Sequence, residues 1–406
     1  MNKIKKIILF SCFAGIFGWT TAQPIVELHS WLEKGRKGKI EKQDFAKIPL
    51  SKVEADSAKK IVYRFFQERE RLALQHEWVT KCMRVDTFLM PFDYKVYGNK
   101  PENGRSLYIS MHGGGGTTSD INDGQWLNQL RLYKPEEGVY LAPRAAVDAW
   151  NMWHLPHVSA FFDRIIRAAV QVMDVNPDKV YVLGYSAGGD GVYRVAPRMA
   201  DRWAAASMMA GHPGGVSLLN VRNIGFMLWM GAEDGAYNRN GDARTYGQWL
   251  DSMSRADKGG YPHETHLVEG KGHWMDRADT AAIPWMARFS RNPYPEKIAW
   301  KQDDQPNTSF YWIRIPEKET KNGKTIIVKR QGNTFYIEKN DYKTIFIGVN
   351  DAMIDFEQPV TVIANGQTVF HAKVNRVITD IYSSIETRKD KKMIFDAYIR
   401  VDIARQ

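Results

Sequence analysis

The sequence predicts an α/β protein: a doubly wound, mostly parallel sheet between an N-terminal helical arm and a C-terminal all-β domain. Three observations lead there. Between residues 83 and 292, apolar runs alternate with segments of helical periodicity, as strands joined by helical crossovers do. The later runs, 179–183, 204–210 and 225–230, are nearly continuous in apolar residues, which suits strands covered on both faces. Beyond residue 297 the helical periodicity gives way to short strands parted by turn residues.

Taken in order, residues 1–22 read as a secretory signal. Lys3, Lys5 and Lys6 precede a short apolar stretch over 7–19, and Thr20-Thr21-Ala22 offers a cleavage site before Gln23. The stretch is too short and wrongly flanked to span a membrane. A secreted or periplasmic protein is therefore expected. Leu9-Phe10-Ser11-Cys12 loosely resembles a lipobox, so lipid anchoring is the minority alternative. Cleavage leaves Cys82 as a lone thiol that forms no internal disulfide, and a lone cysteine is more often a small buried hydrophobe than a nucleophile. Residues 23–82 form the helical arm. Ser51 and Glu54 make a capping box behind Leu50, and Val53, Ala58, Ile61, Val62, Phe65 and Phe66 then recur at roughly helical spacing.

The α/β segment, 83–292, holds strand candidates at 85–90, 94–97, 106–111, 139–143, 179–183, 204–210, 225–230 and 263–268. Its helix candidates are 158–173, 187–199, 244–256 and 280–290. The β domain, 297–406, holds strands at 309–315, 325–328, 334–337, 344–349, 360–364 and 368–373, with 393–403 closing a sandwich. Lys321-Asn322-Gly323 and Asn365-Gly366 read as hairpin turns. The 406 residues are 44% hydrophobic, enough for two or three domains with a sizeable core, and carry a formal charge of +10. The basic residues are scattered, and their densest cluster, 388–392, is broken by Asp390. A solvated face rather than a nucleic-acid site is expected. No stretch after the signal is apolar for the roughly eighteen residues that a membrane span needs.

The chemistry concentrates at strand ends. Gly184-Tyr185-Ser186-Ala187-Gly188 lies between an apolar strand and a helix, so Ser186 sits at the apex of a sharp turn with its hydroxyl exposed. A serine hydroxyl attacks only if a base removes its proton, and that base is best a histidine held by a carboxylate. Asp234 stands just past strand 225–230, and His273 just past strand 263–268 on a loop flanked by glycines. All three thus fall at the carboxyl edge of one parallel sheet, where open α/β sheets place their sites. Glu233 is the alternative acid. His112-Gly113-Gly114-Gly115-Gly116 follows strand 106–111; Gly113 or Gly114, together with the Ala187 N–H, can supply the two donors that an oxyanion needs. The lysine-serine or lysine-threonine ending of a phosphate loop is absent. His154 and His157 have the spacing of neighbours on a helix face and no obvious partners for a metal. Trp150, Trp153 and Trp274 stand near the active-edge loops, as an aromatic wall for substrate or as core.

With these residues in place, segment 83–290 resembles the α/β-hydrolase fold, and within it exported esterases of the feruloyl esterase and polyhydroxybutyrate-depolymerase type. The resemblance rests on His112 to Gly116, Phe161-Phe162-Asp163, Asn176-Pro177-Asp178-Lys179-Val180-Tyr181, the Gly184 to Gly189 turn, Asp234 and His273. It implies a serine esterase that needs no metal or organic cofactor: Ser186 as nucleophile, His273 as base, Asp234 as its partner, and an acyl-enzyme on the way to the acid. The expected partner is an ester substrate, polysaccharide- or aryl-linked among the options. A peptidase of the prolyl oligopeptidase type shares the serine turn and is one alternative. A degenerate hydrolase that binds glycan or a surface through its β domain is another.

Overall fold

The computed structural model describes residues 23–403. The expected signal at 1–22, with its lipobox-like Cys12, lies outside the described residues. Among them, no helix is long and apolar enough to cross a membrane.

The arm consists of α1 (Gln23–Glu33), two short 3-10 turns and α2 (Lys52–Val79). α2 starts at the capping box. The Ser51 hydroxyl accepts from the Glu54 N–H at 3.3 Å, and the Glu54 carboxylate accepts from the Ser51 N–H at 2.8 Å. The buried stripe of α2 is Ala55, Ala58, Val62, Phe66, Leu74 and Trp78, whereas Val53 points to solvent.

The central sheet is built from β1 (Cys82–Val85), β2 (Phe88–Tyr97), β3 (Arg105–Met111), α3 (Ser119–Leu132), β4 (Gly138–Pro143), α4 (Pro156–Val172), β5 (Val175–Tyr185), α5 (Ala187–Arg198), β6 (Ala205–Met209), β7 (Gly225–Gly231), α6 (Arg239–Ala256), β8 (His263–Val268) and α7 (Ala282–Ala287). Its eight strands lie in the order β1-β2-β4-β3-β5-β6-β7-β8. β3 to β8 are mutually parallel, while β2 runs antiparallel to both β1 and β4. This mostly parallel sheet fits an α/β-hydrolase. The chain steps from β3 outward to β4, then returns past β3 to β5. The direction of winding reverses there, and the loops leaving β3 and β5 part to open a crevice at the carboxyl edge.

Two features depart from expectation. The expected strand 85–90 is two strands, because Asp86 adopts a left-handed conformation (φ 49°) and makes a two-residue turn that pairs Val85 with Phe88. A short polar side chain tolerates that backbone, so the bend needs no glycine or proline that would mark it in the sequence. Helix α3 was not expected. Its buried residues are Asn122, Gln129 and Leu130, so its inner face is mostly polar and lacks an apolar stripe.

The C-terminal region contains β9 (Lys297–Lys301), β10 (Ser309–Phe310), β11 (Ile313–Arg314), β12 (Thr325–Gln331), β13 (Thr334–Asn340), β14 (Thr344–Val349), β15 (Val360–Ala364), β16 (Gln367–Ala372), α8 (Ile378–Arg388) and β17 (Ala397–Asp402). It has two sheets, β16-β15-β13-β12-β9 and β10-β11-β14-β17. It is not all-β, since α8 interrupts it. Ile378, Ile381, Tyr382 and Ile385, at helical spacing, form the apolar stripe that buries this helix beside Phe66 and Leu28 of the arm. The expected strand 309–315 breaks at Tyr311 (φ 48°) into β10 and β11. Asn365 (φ 52°) and Gly366 (φ 73°) make the expected two-residue turn between β15 and β16. Residues 321–323 form no tight hairpin, because β12 pairs with β9 across a longer connection.

One continuous apolar cluster runs from Leu74 and Trp78 through the central sheet to Trp312, Phe335 and Ile403. A buried ionic chain crosses the same boundary. The Asp390 carboxylate lies 2.6 Å from the Arg291 guanidinium and 3.2 Å from Arg202, and Arg291 also binds Asp178 at 2.8 Å. Burial alone would raise the Asp390 pKa, but Arg291 and Arg202 outweigh it and hold the carboxyl far below the usual carboxylate range.

Candidate active site

β5 ends at Tyr185, and α5 starts at Ala187. Ser186 between them has φ 58° and ψ −122°, a conformation that costs a non-glycine residue about 1–3 kcal/mol. The bend holds because backbones close in from both sides. A Cβ on Gly184 would lie 2.3 Å from the Gly188 carbonyl oxygen, and one on Gly188 would lie 2.1 Å from that of Met111. Only glycine fits these two positions. The Ser186 N–H donates to the Met209 carbonyl at 2.9 Å, which fixes the apex over β6.

The loops after β7 and β8 are tied to each other. The Ala232 N–H donates to Val268 O at 3.0 Å and the Glu233 N–H to Lys271 O at 2.9 Å. This brings Asp234 and His273 together. His273 Nδ1 is 2.7 Å from Asp234 Oδ2, and His273 Nε2 is 2.9 Å from Ser186 Oγ. A carboxylate can only accept, so Nδ1 carries the proton and Nε2 accepts from the serine hydroxyl. Asp234 is buried, with Arg239 Nη1 at 3.7 Å from its other oxygen, whereas Glu233 points to solvent.

The glycine loop lies against the serine. A Cβ on Gly113 would stand 3.2 Å from Ser186 Cβ, so Gly113 is the nearer of the two candidate glycines. Among the described residues, the N–H groups of Gly113, Gly114 and Ala187 have no hydrogen-bond acceptor. His112 anchors the loop from beneath. Its Nδ1 bonds the Gly113 carbonyl at 2.6 Å, its Nε2 accepts from the Ala145 N–H at 3.1 Å, and its carbonyl accepts from Trp153 Nε1 at 2.9 Å. Burial lowers its pKa to about 4, so the ring is neutral near pH 7.

Sequence reasoning missed several supporting residues. Asn122, on α3, accepts from the Gly115 N–H at 2.8 Å and donates to Asp148 at 2.8 Å. The Tyr185 hydroxyl donates to the His273 carbonyl at 2.7 Å and accepts from the Met275 N–H at 3.2 Å. Tyr185 is the variable residue just before the serine, so no spacing rule marks it. Asn122 sits in a helix without an apolar stripe.

Gly113, Gly114, Tyr185, Ser186, His273 and Trp274 line an open cleft, together with α3 residues and Arg277. Of the three tryptophans, Trp274 faces this cleft, Trp150 is exposed beside Gly115 and Gly116, and Trp153 belongs to the core. His154 precedes α4 rather than sharing a helix face with His157, and neither lines the cleft. Burial, ahead of repulsion from Arg194 and Arg198, lowers the His154 pKa to about 4. Cys82 is half-buried and burial raises its thiol pKa, the opposite of what activates a cysteine nucleophile.

No family model matches the chain, and no curated protein matches it. Among solved structures it is similar to a thermostable esterase, at 17% identity over 52% of this chain and 62% of that one, with a TM-score of 0.42. A ferulic acid esterase matches at 14% identity over 51% of this chain and 96% of its own, with a TM-score of 0.36. A poly(3-hydroxybutyrate) depolymerase from Bordetella parapertussis matches at 15% identity over 49% and 84%, with a TM-score of 0.34. The chain thus spans less than two thirds of the first of these, and each likeness takes in about half of the chain.

Proposed function

We propose that this protein is an exported serine hydrolase that cleaves carboxylic esters. The observation that carries the reading is the unbroken hydrogen-bonded series Asp234, His273, Ser186, at 2.7 and 2.9 Å, at the mouth of an open cleft. Ser186 Oγ attacks the ester carbonyl carbon while His273 Nε2 takes its proton, and Asp234 stabilises the imidazolium that results. The negative oxygen of the tetrahedral intermediate is met by the N–H of Ala187 and that of Gly113 or Gly114. Collapse expels the alkoxide with the proton from His273 and leaves an acyl-Ser186. Water activated by His273 then releases the acid and restores the serine. Export rests on residues 1–22 alone.

The test uses short p-nitrophenyl esters and a fluorophosphonate probe. Unmodified protein is expected to hydrolyse the esters and to carry the phosphonyl adduct on Ser186 by mass mapping. Ser186→Ala is expected to lose at least ~10³-fold in kcat. Equal rates for the two proteins, or an adduct elsewhere, would sink the assignment.

A further inference from the structure

The walls of the cleft carry two positive charges and no carboxylate. Besides the glycines, Ser186 and His273, its lining includes Gln125, Asn128, Arg131 and Arg277. Arg131 and Arg277 are exposed, and among the described residues neither has a carboxylate oxygen within 4.0 Å. The nearby acids are engaged elsewhere. Asp276 pairs with Lys271 at 2.5 Å, Asp279 is buried and accepts from the Tyr133 hydroxyl, and Asp234 lies behind the imidazole.

The backbone is strained where it presents Arg277. Asp276 and Arg277 have φ of 50° and 67°, two consecutive non-glycine residues in the left-handed region. Strain of this kind concentrates at functional sites, where a side chain must be aimed. The segment is held from both ends. The Tyr185 hydroxyl binds His273 O and the Met275 N–H, and Arg277 Nη2 donates to Leu132 O at 3.0 Å. That last bond sets the Arg277 guanidinium beside the end of α3, one residue from Arg131. It uses one of five N–H donors, so the rest of the fork stays available. Guanidinium forks match carboxylate geometry and bind it in charge-assisted pairs.

Resting on the esterase reading, we infer that Arg131 and Arg277 form an anion subsite, so that the preferred substrate is an acidic ester bearing a free carboxylate near its scissile bond. The side chains reach the substrate but not the reacting atoms; they select and orient it. Gln125 and Asn128 add neutral donors and acceptors along the same wall.

The probe is succinate, titrated calorimetrically into full-length Ser186→Ala protein, so that binding is read without turnover. Saturable binding is expected, weakening several-fold between 50 and 300 mM salt because the pair is solvent-exposed. Arg131→Gln/Arg277→Gln is expected to raise Kd about tenfold, and Arg131→Lys/Arg277→Lys by less. Arg244→Gln, an exposed arginine outside the cleft, serves as the control. No saturable binding, or a Kd that changes no more in the double variant than in Arg244→Gln, overturns the subsite. The two readings fail separately: arginine-dependent succinate binding without ester turnover in the unmodified protein removes only the esterase, and turnover of p-nitrophenyl butyrate without succinate binding removes only the subsite.

Discussion

Asp234 and Glu233 are neighbours in sequence, yet only Asp234 is buried against the imidazole. Asp234→Asn is expected to lower kcat on p-nitrophenyl esters by ~10³–10⁴, because an amide can stabilise the wrong tautomer, whereas Glu233→Gln stays within about twofold. Steady-state kinetics of the two variants decides between them. Two titratable groups act on stability in opposite directions. His112 has its pKa lowered to about 4 by burial, so the unfolded chain binds its proton first. Its contribution is present above pH ~6.5 and is lost as pH falls towards 4. Asp380 is raised to about 6 by burial, against a hydrogen bond from the Tyr398 N–H. The folded state prefers its neutral form, so it costs stability as pH rises from about 4 to 6. Asp380→Asn is expected to stabilise the protein by about 2–3 kcal/mol at pH 7 and by well under about 1 kcal/mol at pH 4, read from urea midpoints.

At the scale of elements, the serine turn depends on the close approach of β3, β5 and α5. A methyl group on Gly188 would overlap the Met111 carbonyl at 2.1 Å, with backbone on both sides. Gly188→Ala is therefore expected to cost about 3 kcal/mol or more and to lower kcat as Ser186 shifts, whereas Gly270→Ala, with open space around it, loses less. Denaturant midpoints and kcat together check this. Gly270 has φ 69°, so even that control pays a conformational cost. The β5 end also reaches the β8 loop through the Tyr185 hydroxyl. Tyr185→Phe removes two hydrogen bonds and leaves the buried Met275 N–H unpaired. Its expected mark is a roughly tenfold fall in kcat with little change in KM, since the histidine loop is loosened while the cleft walls remain.

For the whole molecule, the question is whether the C-terminal region stands alone. Its core is continuous with that of the central sheet, and Asp390 is wedged between Arg202 and Arg291. Removing one partner from a buried ionic cluster leaves charge uncompensated. Asp390→Asn is expected to destabilise the entire protein by about 3–5 kcal/mol, in a single cooperative transition that also abolishes esterase activity on melting. Two separate transitions, with the activity lost in only one, would mean that the regions fold independently.

Much of this molecule was legible along the chain because its signals are local. Apolar runs near full burial marked β5, β6 and β7, and the capping box marked the start of α2. Ser186, Asp234 and His273 stood out because each lies just past a strand of the α/β segment, and parallel strands deliver their ends to one edge. Tertiary structure decided what depends on neighbours distant in sequence. The Asp86 and Tyr311 turns carry no glycine or proline to mark them. α3 buries amides whose partners, Gly115, Asp148 and Ser110, lie on other segments. The choice of Asp234 over Glu233, the role of Tyr185 and the convergence of Arg131 with Arg277 follow from how loops pack. Periodicity records which face of an element is apolar; it does not record which polar group will meet which across the fold.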